Sequence, residues 1–262
     1  MSLRNPLITE LWQYRELLYF LAWRDVKVRY KQAALGAAWA VIQPLFTMII
    51  FTLFFGRLAG VPSEGIPYPL FSYCALVPWT YFSGVLGQAG QSLLTNSNLI
   101  TKVYFPRVML PASSAVSGLL DFAMGTIFLV ALMVHYRVSP GWSLLMAPVF
   151  LLSLFLFTIG TSMLTAALNV RYRDIKYALP FLIQLWLFVT PVIYPMTLIP
   201  KRFQWIAALN PLSGIVNGFR ACVLGARLDT GLVSVSLATT LLIFAAGIRY
   251  FRKTERAFAD II

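Results

Sequence analysis

Charge is what this sequence has least of. Only 11% of its 262 residues are Asp, Glu, Lys or Arg, against about 25% in an ordinary soluble domain. Acidic residues number nine and histidine one. No His/Cys/carboxylate cluster with metal-ligand spacing appears, so no metal is expected. There is no G-x-x-x-x-G-K-S/T loop, so ATP is not expected to bind this chain in that way. There is no Gly-x-Ser-x-Gly elbow either. A membrane-embedded enzyme would need polar groups converging near one interface, and no such set can be assembled. Cys74 and Cys222 stand far apart and outside any paired motif, which argues against a disulfide. No cleavable leader is expected, because the first apolar run begins only after about thirty polar or amphipathic residues.

Apolar residues, by contrast, make up 59% of the chain. Runs of about 20 such residues recur along it, and each is long enough to cross a hydrocarbon core about 30 Å thick. A helix satisfies its own backbone groups in lipid, so the spans should be helical. The expected fold is an all-α membrane protein with six transmembrane helices, over residues 35–56, 68–92, 109–134, 144–168, 178–197 and 230–250. An N-terminal cytoplasmic segment, 1–34, precedes this 35–250 domain, and a short tail, 251–262, follows it. Pro78 in the second span, and Pro180, Pro191 and Pro195 in the fifth, predict kinks. Residues 198–229 are too broken by Asn210-Pro211 and Gly214 to span, yet too apolar for a free loop. They fit short re-entrant or interfacial helices.

The positive charges give an orientation. Arg4, Arg15, Arg24, Lys27, Arg29, Lys31, Lys102, Arg107, Arg171, Arg173, Lys176, Arg249, Arg252, Lys253 and Arg256 would fall on one side. Arg57, Arg137, Lys201, Arg202, Arg220 and Arg227 would fall on the other. The richer side is cytoplasmic, which places both termini there. The net charge of +12 is then a topology signal, and nucleic acid is not an expected partner.

The stretch RDVKVRYKQAALGAAWAVIQPL, residues 24–45, runs from cations straight into an apolar span. Before it, Tyr19, Trp23, Val26 and Tyr30 share one helical face, and Arg24, Lys27 and Lys31 lie on another. Asp25 and Arg29 have the i, i+4 spacing of an ion pair. A basic amphipathic helix with aromatic residues on its apolar side lies in the headgroup layer. From the residues alone it is either a gate beside an entrance or a passive anchor.

Asp121 lies near the middle of the third span. A carboxylate there is costly and is a functional candidate by default; a structural hydrogen-bonding role is the alternative. His135 is expected at the external interface. Trp39, Gln43, Phe46 and Phe54 lie near one stripe of the first span. Phe181, Gln184, Trp186, Phe188 and Tyr194 crowd the fifth. Rings with interspersed amides suit a sugar path, and lipid-facing aromatic belts account for the same pattern.

Several motifs together resemble one family. Lys27, Arg29, Tyr30, Leu35, Gly36, Trp39 and Pro44 form a K-x-R-Y, L-G-x-x-W, Pro pattern. Lys102, Phe105, Pro106, Arg107 and Pro111 follow K-x-x-F-P-R-x-x-x-P. Tyr172 to Ile175 reads Y-R-D-I, and PVIYP at 191–195 and Asn210-Pro211 complete the order. In this order, over nearly the whole chain, they resemble the permeases of polysaccharide-export ABC transporters, which export O-antigen, capsule or teichoic acid.

The resemblance implies a half-transporter in the bacterial cytoplasmic (inner) membrane. Two copies would form the channel, and two separate ABC ATPase subunits, carrying ATP and magnesium, would drive it; this chain would hold no cofactor. Its substrate would be a lipid-linked polysaccharide. The helix with Trp23, Arg24, Lys27, Arg29 and Tyr30 would be a gate, its cations facing substrate phosphates. The segment with Asn98, Lys102, Tyr104, Phe105 and Arg107 would couple to the ATPase. The aromatic residues of the first and fifth spans would line the sugar path. Export of a drug or lipid on the same fold, or a membrane-embedded enzyme of glycan assembly, are the alternatives.

Overall fold

The computed structural model describes residues 6–31, 36–172, 174–226, 228–255 and 258. The motif residues Leu35 and Arg173, and Arg4, Arg227 and Arg256 of the charge reading, lie outside the described residues. In chain order the helices are α1 (Pro6–Gln13), α2 (Arg15–Tyr30), α3 (Trp39–Phe51), α4 (Tyr68–Ala89), α5 (Ser92–Thr95), α6 (Ser97–Lys102), α7 (Met109–His135), α8 (Ala147–Arg171), α9 (Ile175–Val189), α10 (Lys201–Leu209), α11 (Pro211–Leu224) and α12 (Thr230–Thr254). No strand occurs among the described residues.

Four helical stretches are long and apolar enough to cross a membrane: Trp39–Leu58, Met109–His135, Ser143–Arg171 and Thr230–Thr254, of 20 to 29 residues. The first is α3 prolonged by a wide π-helical turn, Thr52–Leu58. α4 and α9 stand apart from these four for different reasons. α4 is the central helix, and 16 of its 22 residues are buried. Protein rather than lipid surrounds it, so tyrosine, tryptophan, serine and proline are tolerated along it. α9 is apolar but only 15 residues long.

α8 and α12 form the most extensive helix pair. They cross where Gly247 meets Gly160. A Cβ on Gly160 would lie 2.6 Å from the Phe244 Cα, and one on Gly247 would lie 2.1 Å from the Gly160 carbonyl oxygen. Without a water-driven hydrophobic effect between helices in lipid, such close backbone approach is what makes packing favourable.

α11 is almost wholly buried against α4, α8 and α12. Its start is fixed by Asn210, whose side-chain oxygen accepts from the Leu212 N–H at 3.2 Å. Its end is fixed by Gly225, a left-handed residue with φ of 70° that suits glycine. Arg220, counted with the external charges in the orientation reading, is not a surface charge. It is 1% exposed, lies over the Phe71 ring at 3.7 Å and donates to the carbonyls of Phe71 (3.1 Å) and Val192 (2.7 Å). Carbonyl dipoles and a ring face take the place of a carboxylate counterion.

At the end of the bundle that carries the N-terminal helix, the segments are tied by ions. Arg252 of α12 grips Glu10 of α1 through two bonds of 2.9 and 2.7 Å. The Arg107 N–H donates to the Glu255 carboxylate at 3.0 Å, and its guanidinium donates to the Glu255 backbone oxygen.

Candidate functional site

α2 does not pair its own Asp25 with Arg29. Asp25 accepts instead from Arg24, at 2.9 Å, and from the Ser113 hydroxyl of α7, at 3.2 Å. Arg24 also donates to Asn96 at 2.9 Å. Arg29 donates to Asp121 and to Gln88, and the Tyr30 hydroxyl donates to the second Asp121 oxygen. The contacts ascend together, Asp25 to Ser113 and Arg29 to Asp121, so α2 runs alongside the first half of α7. A local i, i+4 pair is worth only about 0.2–0.5 kcal/mol. Tertiary partners that keep a carboxylate from being stranded at membrane depth outweigh it.

Asp121 thus has two donors, each from the last turn of α2. Burial, and then the adjacent carboxylate, push the Tyr30 phenol up to about 12, so it stays protonated and a donor at neutral pH. The opposite face of α2 is left open. Trp23 is exposed, with the Lys27 ammonium 5.6 Å from its ring centre. Trp23, Arg24, Lys27 and Lys31, with Phe20 and Val28, line a shallow cavity of 480 Å³.

The aromatic residues divide by helix face. Trp39, Phe46 and Phe54 are half or more exposed, and Gln43 is exposed beside them. Pro44, Met48 and Phe51 hold the other face of α3 against the core. On α9, Phe181, Gln184 and Phe188 are exposed along one stripe. Trp186 lies on the protein side. Its ring packs against Phe82 (5.2 Å) and Phe157 (5.9 Å), and its N–H donates to Asn210 at 3.0 Å. Asn210 in turn donates to Thr190 at 3.0 Å. The Tyr194 hydroxyl donates to the Phe188 carbonyl at 3.0 Å and closes the end of α9.

In the loop between α4 and α7, Asn98, Lys102 and Tyr104 are exposed, and Tyr104 is 97% so. Phe105 is 6% exposed and belongs to the core, and Arg107 is occupied by Glu255. The F-P-R motif therefore anchors the loop from beneath, and α6 with Tyr104 forms its outer surface. No set of three or more metal-ligating side chains occurs among the described residues.

Four apolar helices of membrane length in an all-helical chain define a polytopic membrane protein. The ABC-2 type transporter family matches residues 16–224, most of the chain, and the chain belongs to that family. As a member it is a membrane transport subunit and not an enzyme. It is 32% identical over 261 residues to the O-antigen export system permease protein RfbA of Myxococcus xanthus, covering 98% of this chain and 99% of that one. A protein of the same name from Klebsiella pneumoniae is 29% identical over 248 residues, 94% of this chain and 95% of its own. The polysialic acid transport protein KpsM of Escherichia coli is 21% identical over 238 residues, 89% and 92% of the two chains.

Proposed function

We propose that this chain is the permease subunit of an ATP-driven exporter that moves a lipid-linked polysaccharide out of the bacterial cytoplasm through the inner membrane. What carries the reading is similarity over almost the full length to O-antigen export permeases, including one at 32% identity. Two copies form the pathway, and two separate ATPase subunits hold ATP and magnesium. α4 and α9 complete six spans, both termini are cytoplasmic, and α10 and α11 form the re-entrant external segment. The exposed stripes Trp39, Gln43, Phe46, Phe54 and Phe181, Gln184, Phe188 face the path, where many weak ring contacts let a sugar chain slide. Trp186 and Tyr194 position that stripe from behind.

α2 is the gate. Its open face offers Arg24 and Lys27 to substrate phosphates, while Arg29 and Tyr30 hold the helix to α7. α6 and Tyr104 dock on the ATPase. The test is reconstitution of the permease with its partner ATPase, followed by ATP-dependent movement of a lipid-linked glycan into sealed vesicles. Movement of drugs or plain phospholipid in place of the glycan would overturn the substrate assignment.

A further inference from the structure

A cavity of 610 Å³ lies off the proposed sugar path. It is a lateral groove between the second half of α7, the start of α8 and α11, lined by Phe122, Leu129, Val130, Leu151, Phe219 and Val223. From Phe122 to Arg137 it follows α7 for about 22 Å at 1.5 Å per residue. That exceeds the ~15 Å half-thickness of a hydrocarbon core. Thr126 is the polar side chain deep in it, and its hydroxyl is already bonded to the Phe122 carbonyl at 2.8 Å. Water would find almost nothing there to bond.

One charge lines this groove, Arg137, at its outer end. Arg137 is exposed, and among the described residues its guanidinium has neither a hydrogen-bond nor an ion-pair partner. Its backbone is left-handed, with φ of 56°, where the chain turns out of α7 and the Val138 N–H returns to the Met133 carbonyl at 3.0 Å. Glycine or asparagine is the usual residue at such a helix end, and an arginine there is strained. A long cation is thus held in an unfavourable conformation at the mouth of a dry, lipid-depth groove.

We infer that this groove is a binding site for an anionic membrane phospholipid, one acyl chain lying along α7 and the headgroup phosphate on Arg137. Apolar lining selects a hydrocarbon, and the lone cation selects the sign of the head. None of the stripe residues of α3 and α9 lines the groove, so the occupant is resident membrane lipid and not cargo. The inference requires α7 and α8 to cross the membrane. It does not require the cargo to be a polysaccharide.

The full chain, stripped of lipid in detergent, is offered equal amounts of phosphatidylglycerol and phosphatidylcholine, and retained adducts are counted by native mass spectrometry. The wild type should retain phosphatidylglycerol about fivefold better, the effect of one arginine near an anionic surface. Arg137→Gly suits the left-handed backbone, so folding is preserved, as its melting curve will verify. It should bring that ratio to about one. Val130→Trp, which narrows the groove, should reduce retention of both lipids. A wild-type ratio near one, or an undiminished ratio in Arg137→Gly, overturns the site. A polyprenyl phosphate that displaces phosphatidylglycerol and is not itself displaced would assign the groove to a lipid carrier and overturn the phospholipid assignment.

Discussion

Arg29, in the last turn of α2, meets Asp121, 92 residues further along the chain, at the midpoint of α7. Tyr30 reaches the other oxygen of the same carboxylate. Asp121→Asn leaves two donors facing a neutral amide and should weaken the attachment of α2 by about 1–3 kcal/mol. Hydrogen exchange will show this as faster exchange confined to α2, with the melting temperature of the bundle little changed. Equal protection in both proteins would mean that α2 is held elsewhere. The phenol adds a pH signature. Its folded pKa is raised from 10.0 to about 12, so its contribution is whole below pH 10 and is lost as pH climbs toward 12. The protection that Tyr30→Phe removes should therefore be constant over roughly pH 6–9.

The α4–α7 loop separates docking from folding. Lys102→Glu with Tyr104→Ala changes exposed side chains only. It should weaken association with the ATPase by about 2 kcal/mol or more, the loss expected of interface anchors, while the melting temperature holds. Phe105→Ala empties a core position and should lower the melting temperature, at a cost of about 3–5 kcal/mol. Co-purification and melting curves distinguish the two, and a Lys102/Tyr104 variant that still co-purifies fully would remove this loop from the interface.

Single cysteines should map the path. At positions 39, 43, 46, 54, 181, 184 and 188 they should react with a water-soluble thiol reagent in the assembled, ATP-driven transporter. Cysteine at 186 should not, because Trp186 is enclosed by Phe82 and Phe157. Labelling at 186 with silence at 181, 184 and 188 would turn α9 around.

Gly160→Leu should destabilise the packing of α8 on α12. The added side chain would strike the backbone of α12 at Phe244, which has no rotamer through which to yield. Overpacking of this kind costs about 1–3 kcal/mol, read as a lower melting temperature in detergent. An unchanged melting temperature would mean that α8 and α12 slide apart freely.

The helical, membrane-embedded character of the chain and its four long helices are written in hydropathy, which needs no partner to be read. Side-chain destinations are not. Arg29 has an acidic residue at the right local spacing, yet its partner lies on another helix, because stranding Asp121 costs more than breaking a surface pair. α9 carries rings on both faces, so periodicity alone does not tell Trp186 from Phe188; the indole N–H and its partner Asn210 decide. Phe105 stands in a polar loop but is drawn beneath it. Residues 198–229, broken in composition, hold two short helices, α10 and α11. Nothing local marks Arg220 there as buried, since both its acceptors are backbone carbonyls from other parts of the chain.

Arg220 has a mechanical consequence. Its guanidinium bolts three pieces together: α11, which carries it, the first turn of α4 at Phe71, and the turn after α9 at Val192. Pulling α11 alone would abandon a desolvated cation, so displacement of α11 drags the other two along. That end of the subunit therefore works as a single lever, one moving part where the chain has three.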